Sequence, residues 1–189
     1  RTSTSPSFRA TNPRLPFPAK PRSTRLAMDR QLTADDARQS LTAHVATKGA
    51  ELRERYGPRL DWDGLQRVLM DRSLVRYPCE IVFDESLLLP GEFAHPEQKG
   101  PALEDGFTMA VHPFFLTRPH RVPALVLYQL VAVNYGGFAS AEDAETFGAA
   151  ALGITRDDYY TMLCECADQV GGAPDSGLDC GGGGCACGA

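Results

Sequence analysis

The chain has no apolar stretch long enough to cross a membrane. A helix that spans a bilayer needs about 20 consecutive apolar residues, and a secretory signal needs a shorter apolar core; neither occurs. We therefore expect no membrane partner and a location in the reducing cytoplasm. In that compartment the six cysteines indicate metal binding or redox chemistry rather than disulfide bonds.

Signatures of several enzyme classes are also missing. The sequence has no His-Glu-x-x-His zinc motif, no Gly-x-Ser-x-Gly nucleophile turn and no Gly-x-x-x-x-Gly-Lys phosphate loop. The glycines at 181–184 match a phosphate loop in composition only, because no predicted strand precedes them and no helix follows. None of these motifs therefore predicts catalysis.

Basic residues are scarce after the first 27 residues. Residues 1–27 contain six of the 19 basic residues and no acidic one, so the remainder has 13 basic and 24 acidic residues and a formal charge of −11. A body this acidic repels phosphate backbones. We expect no binding of nucleic acid by the folded part.

Composition divides the chain into three segments. We expect residues 1–28 to be a disordered basic tail, residues 29–172 to be a single domain, and residues 173–189 to be a flexible tail rich in cysteine and glycine. Met28 lies where the composition changes, so the residues before it are either an extension that is not translated in the native protein or a transit peptide. Their four closely spaced prolines favour the first interpretation, because proline breaks an amphipathic targeting helix.

Apolar periodicity, capping residues and glycines predict five helices. We expect them over residues 33–56, from residue 61, and over 122–136, 140–153 and 155–170. The third is apolar nearly all round, which predicts that protein surrounds it. Gln129 and Asn134 then lie close to the core and need hydrogen-bond partners.

Alternating apolar residues predict two strands, at 77–84 and 106–115. We expect them to pair antiparallel, with an irregular loop over residues 90–105 between them. The expected fold is α+β, with about five helices packed on a small antiparallel sheet and disordered N- and C-terminal tails.

Three thiols lie among glycines near the C-terminus. Cys180, Cys185 and Cys187 have the spacing Cys-x4-Cys-x-Cys, and this glycine-rich segment has no large apolar residue to bury. Thiolates bind soft ions, so the segment is a candidate site for Zn or Cu, and the ion would order the glycines. The spacing is not that of a zinc knuckle or ribbon, and the alternative is an end without order whose thiols are incidental.

Two histidines form a second candidate metal site. His95 lies in the expected loop and His112 near the end of the second strand, and antiparallel pairing would bring them close together. With a carboxylate such as Glu97 or Glu80 they could hold Zn or non-haem Fe with open positions. The alternative is that each ring simply ends an extended segment before proline.

The leading functional hypothesis is a non-catalytic protein that binds or delivers Zn or Cu through its C-terminal tail. A protein partner would then receive the ion. Alternatives are a protein-interaction domain without chemistry, a small metalloenzyme that uses His95 and His112, and a precursor whose cysteine-rich end is excised.

Overall fold

The computed structural model describes residues 33–171 of the 189-residue chain. This part has the α+β fold predicted from the sequence, with five α-helices packed on a small sheet. The helices are α1 (Ala34–Tyr56), α2 (Trp62–Met70), α3 (Val122–Tyr135), α4 (Ala141–Leu152) and α5 (Arg156–Val170). The strands are β1 (Cys79–Phe83), β2 (Ala94–Gln98) and β3 (Phe107–Val111). The tails predicted at 1–28 and 173–189 lie outside the described residues.

Side-chain caps begin the helices close to the predicted positions. Thr33 starts α1 by accepting a hydrogen bond from the Asp36 amide at 3.1 Å, and the Asp36 carboxylate accepts in return from the Thr33 amide. Ser140 and Asp143 form the same reciprocal pair at the start of α4. Each pair satisfies amides that would otherwise lack a partner in the first turn, which is why these positions begin helices.

Helix α3 is surrounded by protein, as predicted. Ten of its 14 residues are buried. The Gln129 amide donates to the Ala94 carbonyl at 2.7 Å, and both the oxygen and the nitrogen of the Asn134 side chain have a partner within the domain. No helix within residues 33–171 is both long and apolar enough to span a bilayer.

The predicted antiparallel pairing of β1 with β3 is wrong. The two strands are parallel, with Cys79 opposite Phe107, and β3 is the central strand of the order β1-β3-β2. The segment predicted to be an irregular loop contains β2, which pairs antiparallel with β3. Because this extra strand reverses the chain twice between β1 and β3, those two strands run in the same direction. Pro96 obscures the strand in the sequence, yet an edge strand tolerates proline because one side of it needs no backbone donor.

The backbones of α1 and α4 approach closely at Gly49. This glycine is buried, and a Cβ placed on it would lie 2.5 Å from the Phe147 carbonyl oxygen and 2.8 Å from the Ala150 Cβ. Both values are shorter than a carbon atom can accept without movement of α4. Glycine at this position therefore sets the distance between the two helices.

We expect the substitution Gly49→Ala to lower the free energy of unfolding by about 1–2 kcal/mol, as overpacked cores do. Alanine favours the helix over glycine by about 1 kcal/mol. A net loss of stability would therefore report the contact with α4 and not helix propensity. Urea denaturation of both Gly49→Ala and Gly137→Ala would test this, since a Cβ at Gly137 meets no described atom within 4 Å. An unchanged or higher midpoint for Gly49→Ala would contradict the close approach.

Candidate functional site

The cysteines of the predicted soft-metal site lie outside the residues that the structure describes. They are Cys180, Cys185 and Cys187. The three described cysteines are free thiols. Burial raises the pKa of the Cys79 thiol to about 11 and also raises the pKa of Cys166, which packs in the core as a small apolar residue. Cys164 is partly exposed on α5.

The two histidines of the second candidate site each lie beside a different carboxylate. His95 Nδ1 is 3.8 Å from Glu92 Oε1, and His112 Nε2 is 3.6 Å from Glu85 Oε2. The other ring nitrogen of His112 accepts a hydrogen bond from the Phe114 amide. No three His, Cys, Asp or Glu side chains within residues 33–171 are grouped closely enough to hold a metal ion. Binding of one metal ion by His95 and His112 together stays a prediction. The described residues provide no third ligand beside both of them.

The carboxylates considered as the third ligand have other surroundings. Glu80 on β1 forms an ion pair with Lys99, the residue that follows β2. Glu97 lies on β2, where it is opposite Thr108 and exposed. Neither carboxylate is the one that the structure places beside His95 or His112.

Charge is distributed unevenly along the described part of the chain. Residues 33–171 contain 12 basic and 21 acidic residues, a formal charge of −9. Residues 48–76 contain seven of the basic residues and five acidic ones, whereas residues 77–171 contain four basic and 14 acidic ones. One section of an acidic domain is therefore locally basic.

A pocket of about 310 Å³ takes five of its eight lining residues from this basic section and lies between α1, the segment before β1 and the C-terminal end of α3. We call it the basic pocket. Its lining residues are His44, Lys48, Arg72, Ser73, Leu74, Arg76, Asn134 and Tyr135. Every charged side chain among them is basic.

Asn134 fixes one side of the basic pocket. Its side-chain oxygen accepts from the Arg76 amide at 2.8 Å, and its side-chain nitrogen donates to the Leu74 carbonyl at 2.7 Å. The Arg76 guanidinium also donates to the Asn134 carbonyl at 3.4 Å. Because Asn134 is only 7% exposed, these bonds are shielded from water and hold the segment before β1 against α3.

Asp71 fixes the other end of the same segment. Its carboxylate accepts from the Ser73 hydroxyl at 2.6 Å, from the Ser73 amide at 3.0 Å and from the Tyr56 hydroxyl at 3.1 Å, and it pairs with Arg55. The Ser73 hydroxyl, assisted by its amide and by Arg55 and Tyr56, lowers the pKa of Asp71 to about 2 despite burial. The pocket wall is thus anchored on α1 as well as on α3.

The cations of the basic pocket differ in how far they are already paired. Lys48 donates to Glu51 at 2.8 Å. Arg72 is exposed and makes no hydrogen bond or ion pair with another residue of 33–171. Burial raises the pKa of the Tyr135 hydroxyl, and the charges of Lys48 and Arg76 oppose that shift, which places both cations near this tyrosine.

A second pocket, of about 170 Å³, lies between α3, α4, α5 and the start of β2. We call it the aromatic pocket. Its lining residues are Phe93, Tyr128, Ala141, Glu145, Tyr160, Leu163, Cys164, Ala167 and Asp168. Every charged side chain among them is acidic, in contrast to the basic pocket.

Sequence reasoning missed both pockets. Each is assembled from residues that are far apart in the chain, and no local motif marks either one. The density of basic residues over 48–76 is a sequence signal that could have indicated the first. The second has no such signal, because its aromatic and acidic residues are dispersed over 93–168.

We expect Asp71→Asn to destabilise the domain at neutral pH and to have a smaller effect in acid. The folded-state pKa of about 2 is below the usual 3.8, so this carboxylate contributes stability above pH 3.8 that is lost as the pH falls towards 2. Unfolding of wild type and variant should be compared from neutral pH down to about pH 2. Glu54→Gln, which removes an exposed carboxylate of α1, is the control; an equal destabilisation at every pH for Asp71→Asn would refute the anchoring role.

Comparison of the chain with models of protein families, with curated proteins and with solved structures found no match. A functional interpretation therefore depends on the residues and the geometry described above.

Proposed function

We propose that the folded domain binds a small phosphorylated molecule in the basic pocket. The observation that carries the proposal is the convergence of Lys48, Arg72 and Arg76 on one concavity of a domain whose formal charge is −9. Like charges gathered in one place repel each other, and a bound anion removes that repulsion. Clefts lined by charges of one sign also concentrate ligands of the opposite sign.

The donors of the pocket suit a phosphate group. A guanidinium presents five N–H donors in a planar fork that matches two phosphate oxygens at once. Arg76 uses one weak bond to the Asn134 carbonyl, so most of its donors are available, and Arg72 is unpaired among the described residues. Lys48 adds a cation that a stronger anion could draw from Glu51.

The size and surroundings of the pocket favour a small ligand over a polymer. A volume of about 310 Å³ is at the lower end of the range for small-molecule sites, which is about 300–1,000 Å³. The net formal charge of −9 over residues 33–171 disfavours a polyanion that extended beyond the pocket. A phosphomonoester with a compact organic part meets both conditions.

Calorimetric titration of the full chain with inorganic phosphate and with glycerol phosphate would test this function. We expect Arg72→Ala and Lys48→Ala each to raise the Kd about tenfold, which corresponds to about 1.4 kcal/mol of lost binding. Arg38→Ala removes an equal charge from α1, where Arg38 only pairs weakly with exposed Asp35, and should leave the Kd unchanged. Equal Kd values for Arg38→Ala and Arg72→Ala, or no saturable binding, would refute the proposal.

A second candidate function is the binding or delivery of Zn or Cu through Cys180, Cys185 and Cys187. The observation that favours it is in the sequence, where Cys180, Cys185 and Cys187 lie within eight consecutive residues that also contain four glycines. Each of these cysteines has a glycine beside it, and Ala186 is the one apolar residue between them. Delivery would require a protein partner that receives the ion.

Native mass spectrometry after loading with Zn(II) or Cu(I) would test metal binding. We expect one ion per chain, lost when Cys180, Cys185 and Cys187 are all replaced by serine, because three thiolates supply most of a soft-metal coordination shell. Cys164→Ser is the matched control, since it removes a partly exposed thiol on α5. Equal uptake by a chain that ends after residue 172 would exclude this function.

A further inference from the structure

The aromatic pocket has a chemical character that neither proposed function uses. It combines three aromatic side chains with two carboxylates and lies in the acidic section of the chain. The aromatic residues are Phe93, Tyr128 and Tyr160, and the carboxylates are Glu145 and Asp168. No lysine, arginine or histidine is among its lining residues.

The aromatic walls are held by the fold. Phe93 is 8% exposed and precedes β2, and the neighbouring Ala94 carbonyl accepts the Gln129 amide of α3 at 2.7 Å. The rings of Phe93 and Tyr128 are in edge contact, with centroids 6.1 Å apart and an interplanar angle of 69°. Tyr160 on α5 is more open, at 39% exposed. Two walls are therefore fixed before any ligand arrives, and the third is accessible from solvent.

The two carboxylates differ in exposure, and an ion pair with a shared arginine neutralises Glu145 only in part. The Glu145 side chain is 17% exposed, and the nearest cation is Arg156, whose Nε lies 3.7 Å from Glu145 Oε2. Arg156 is shared, because it also pairs with Glu142. Asp168 is exposed and lies one helical turn after Cys164 on α5, so both residues line the same side of the pocket.

The volume of the pocket restricts what it can hold. An engineered protein cavity of about 150 Å³ holds benzene, so about 170 Å³ accommodates a group of similar size, such as trimethylammonium. A bare metal ion is a poor fit, because the described residues provide no group of three ligating side chains. A primary ammonium carries three N–H donors that all need acceptors, whereas the ring faces of Phe93, Tyr128 and Tyr160 suit a cation that has no such donors.

We propose that the aromatic pocket binds an organic cation through a methylated ammonium group. Such a group carries a positive charge but donates few or no hydrogen bonds, so aromatic rings can surround it without leaving donors unpaired. The carboxylates of Glu145 and Asp168 supply the opposite charge at a distance. The same headgroup occurs in free small molecules and on methylated lysine side chains, and the test below distinguishes the two sources.

Cys164 provides a reporter inside the pocket. The full-length chain should be treated separately with a methanethiosulfonate reagent that carries trimethylammonium and with one that carries sulfonate, and the modification rate of Cys164 should be read from peptide masses. The measured quantity is the rate of modification of Cys164 by the cationic reagent divided by its rate with the anionic reagent. We expect this ratio to be about tenfold higher in the folded chain than in the urea-unfolded chain, because the pocket concentrates cations. Tetramethylammonium should slow the reaction, whereas sodium at the same ionic strength should not.

Variants separate the aromatic contribution from that of charge. Tyr160→Phe keeps the aromatic ring, so tetramethylammonium should still protect Cys164 from modification. Tyr160→Leu removes the ring and should weaken this protection about tenfold. Glu145→Gln should reduce the preference for the cationic reagent, and Glu104→Gln, which removes an exposed charge elsewhere, should not. These residues are not part of the basic pocket, so this result is independent of phosphate binding.

Three competitors identify the source of the ligand. Protection at lower concentration by choline supports a free small molecule, and protection at lower concentration by a peptide with trimethyl-lysine supports a protein partner. The same peptide with unmodified lysine should not protect. If neither methylated competitor protects Cys164, or if the reagent preference equals that of the unfolded chain, the proposal is overturned.

Discussion

The fold depends on two side-chain amides of α3, Gln129 and Asn134, that hold the start of β2 and the segment before β1 against this helix. Gln129 donates to the Ala94 carbonyl, and Asn134 bonds to both Leu74 and Arg76. Asn134 is buried, so loss of one of its bonds would leave a polar atom unpaired at a cost of about 1–3 kcal/mol, and Gln129 is partly buried. The segments that α3 holds in this way line the two pockets. The interior of the domain thus determines the shape of its binding surfaces.

Charge segregation along the chain gives the two pockets opposite character. The section 48–76 contributes the cations of one pocket, and Glu145 and Asp168 of the other come from the strongly acidic section that follows. Mixing of both signs over the whole surface would have produced two nearly neutral cavities. The distribution therefore provides selectivity between ligands before any detailed contact is made.

The helices could be predicted from sequence because their signals are local. Thr33 and Ser140 begin helices through bonds to residues three positions away, and the apolar circumference of α3 is visible in its own residues. Strand pairing is not local: β2 is short and contains Pro96, which hid it and led to the wrong direction for β1. The pockets were missed for the same reason, since Phe93 and Asp168 become neighbours only after the chain has folded. The assignment of the cysteines at 180–187 stays a prediction, because they lie outside the described residues.

The central place of β3 has a consequence for biosynthesis. During translation the strands leave the ribosome in the order β1, β2, β3. Among the described strands β1 pairs only with β3, which is the last to emerge, whereas β2 and β3 form a local hairpin. Until that hairpin exists, the hydrogen-bonding groups of β1 have no strand to pair with, and a nascent chain in this state presents an open edge to other chains. That open edge therefore persists until the hairpin can accept β1.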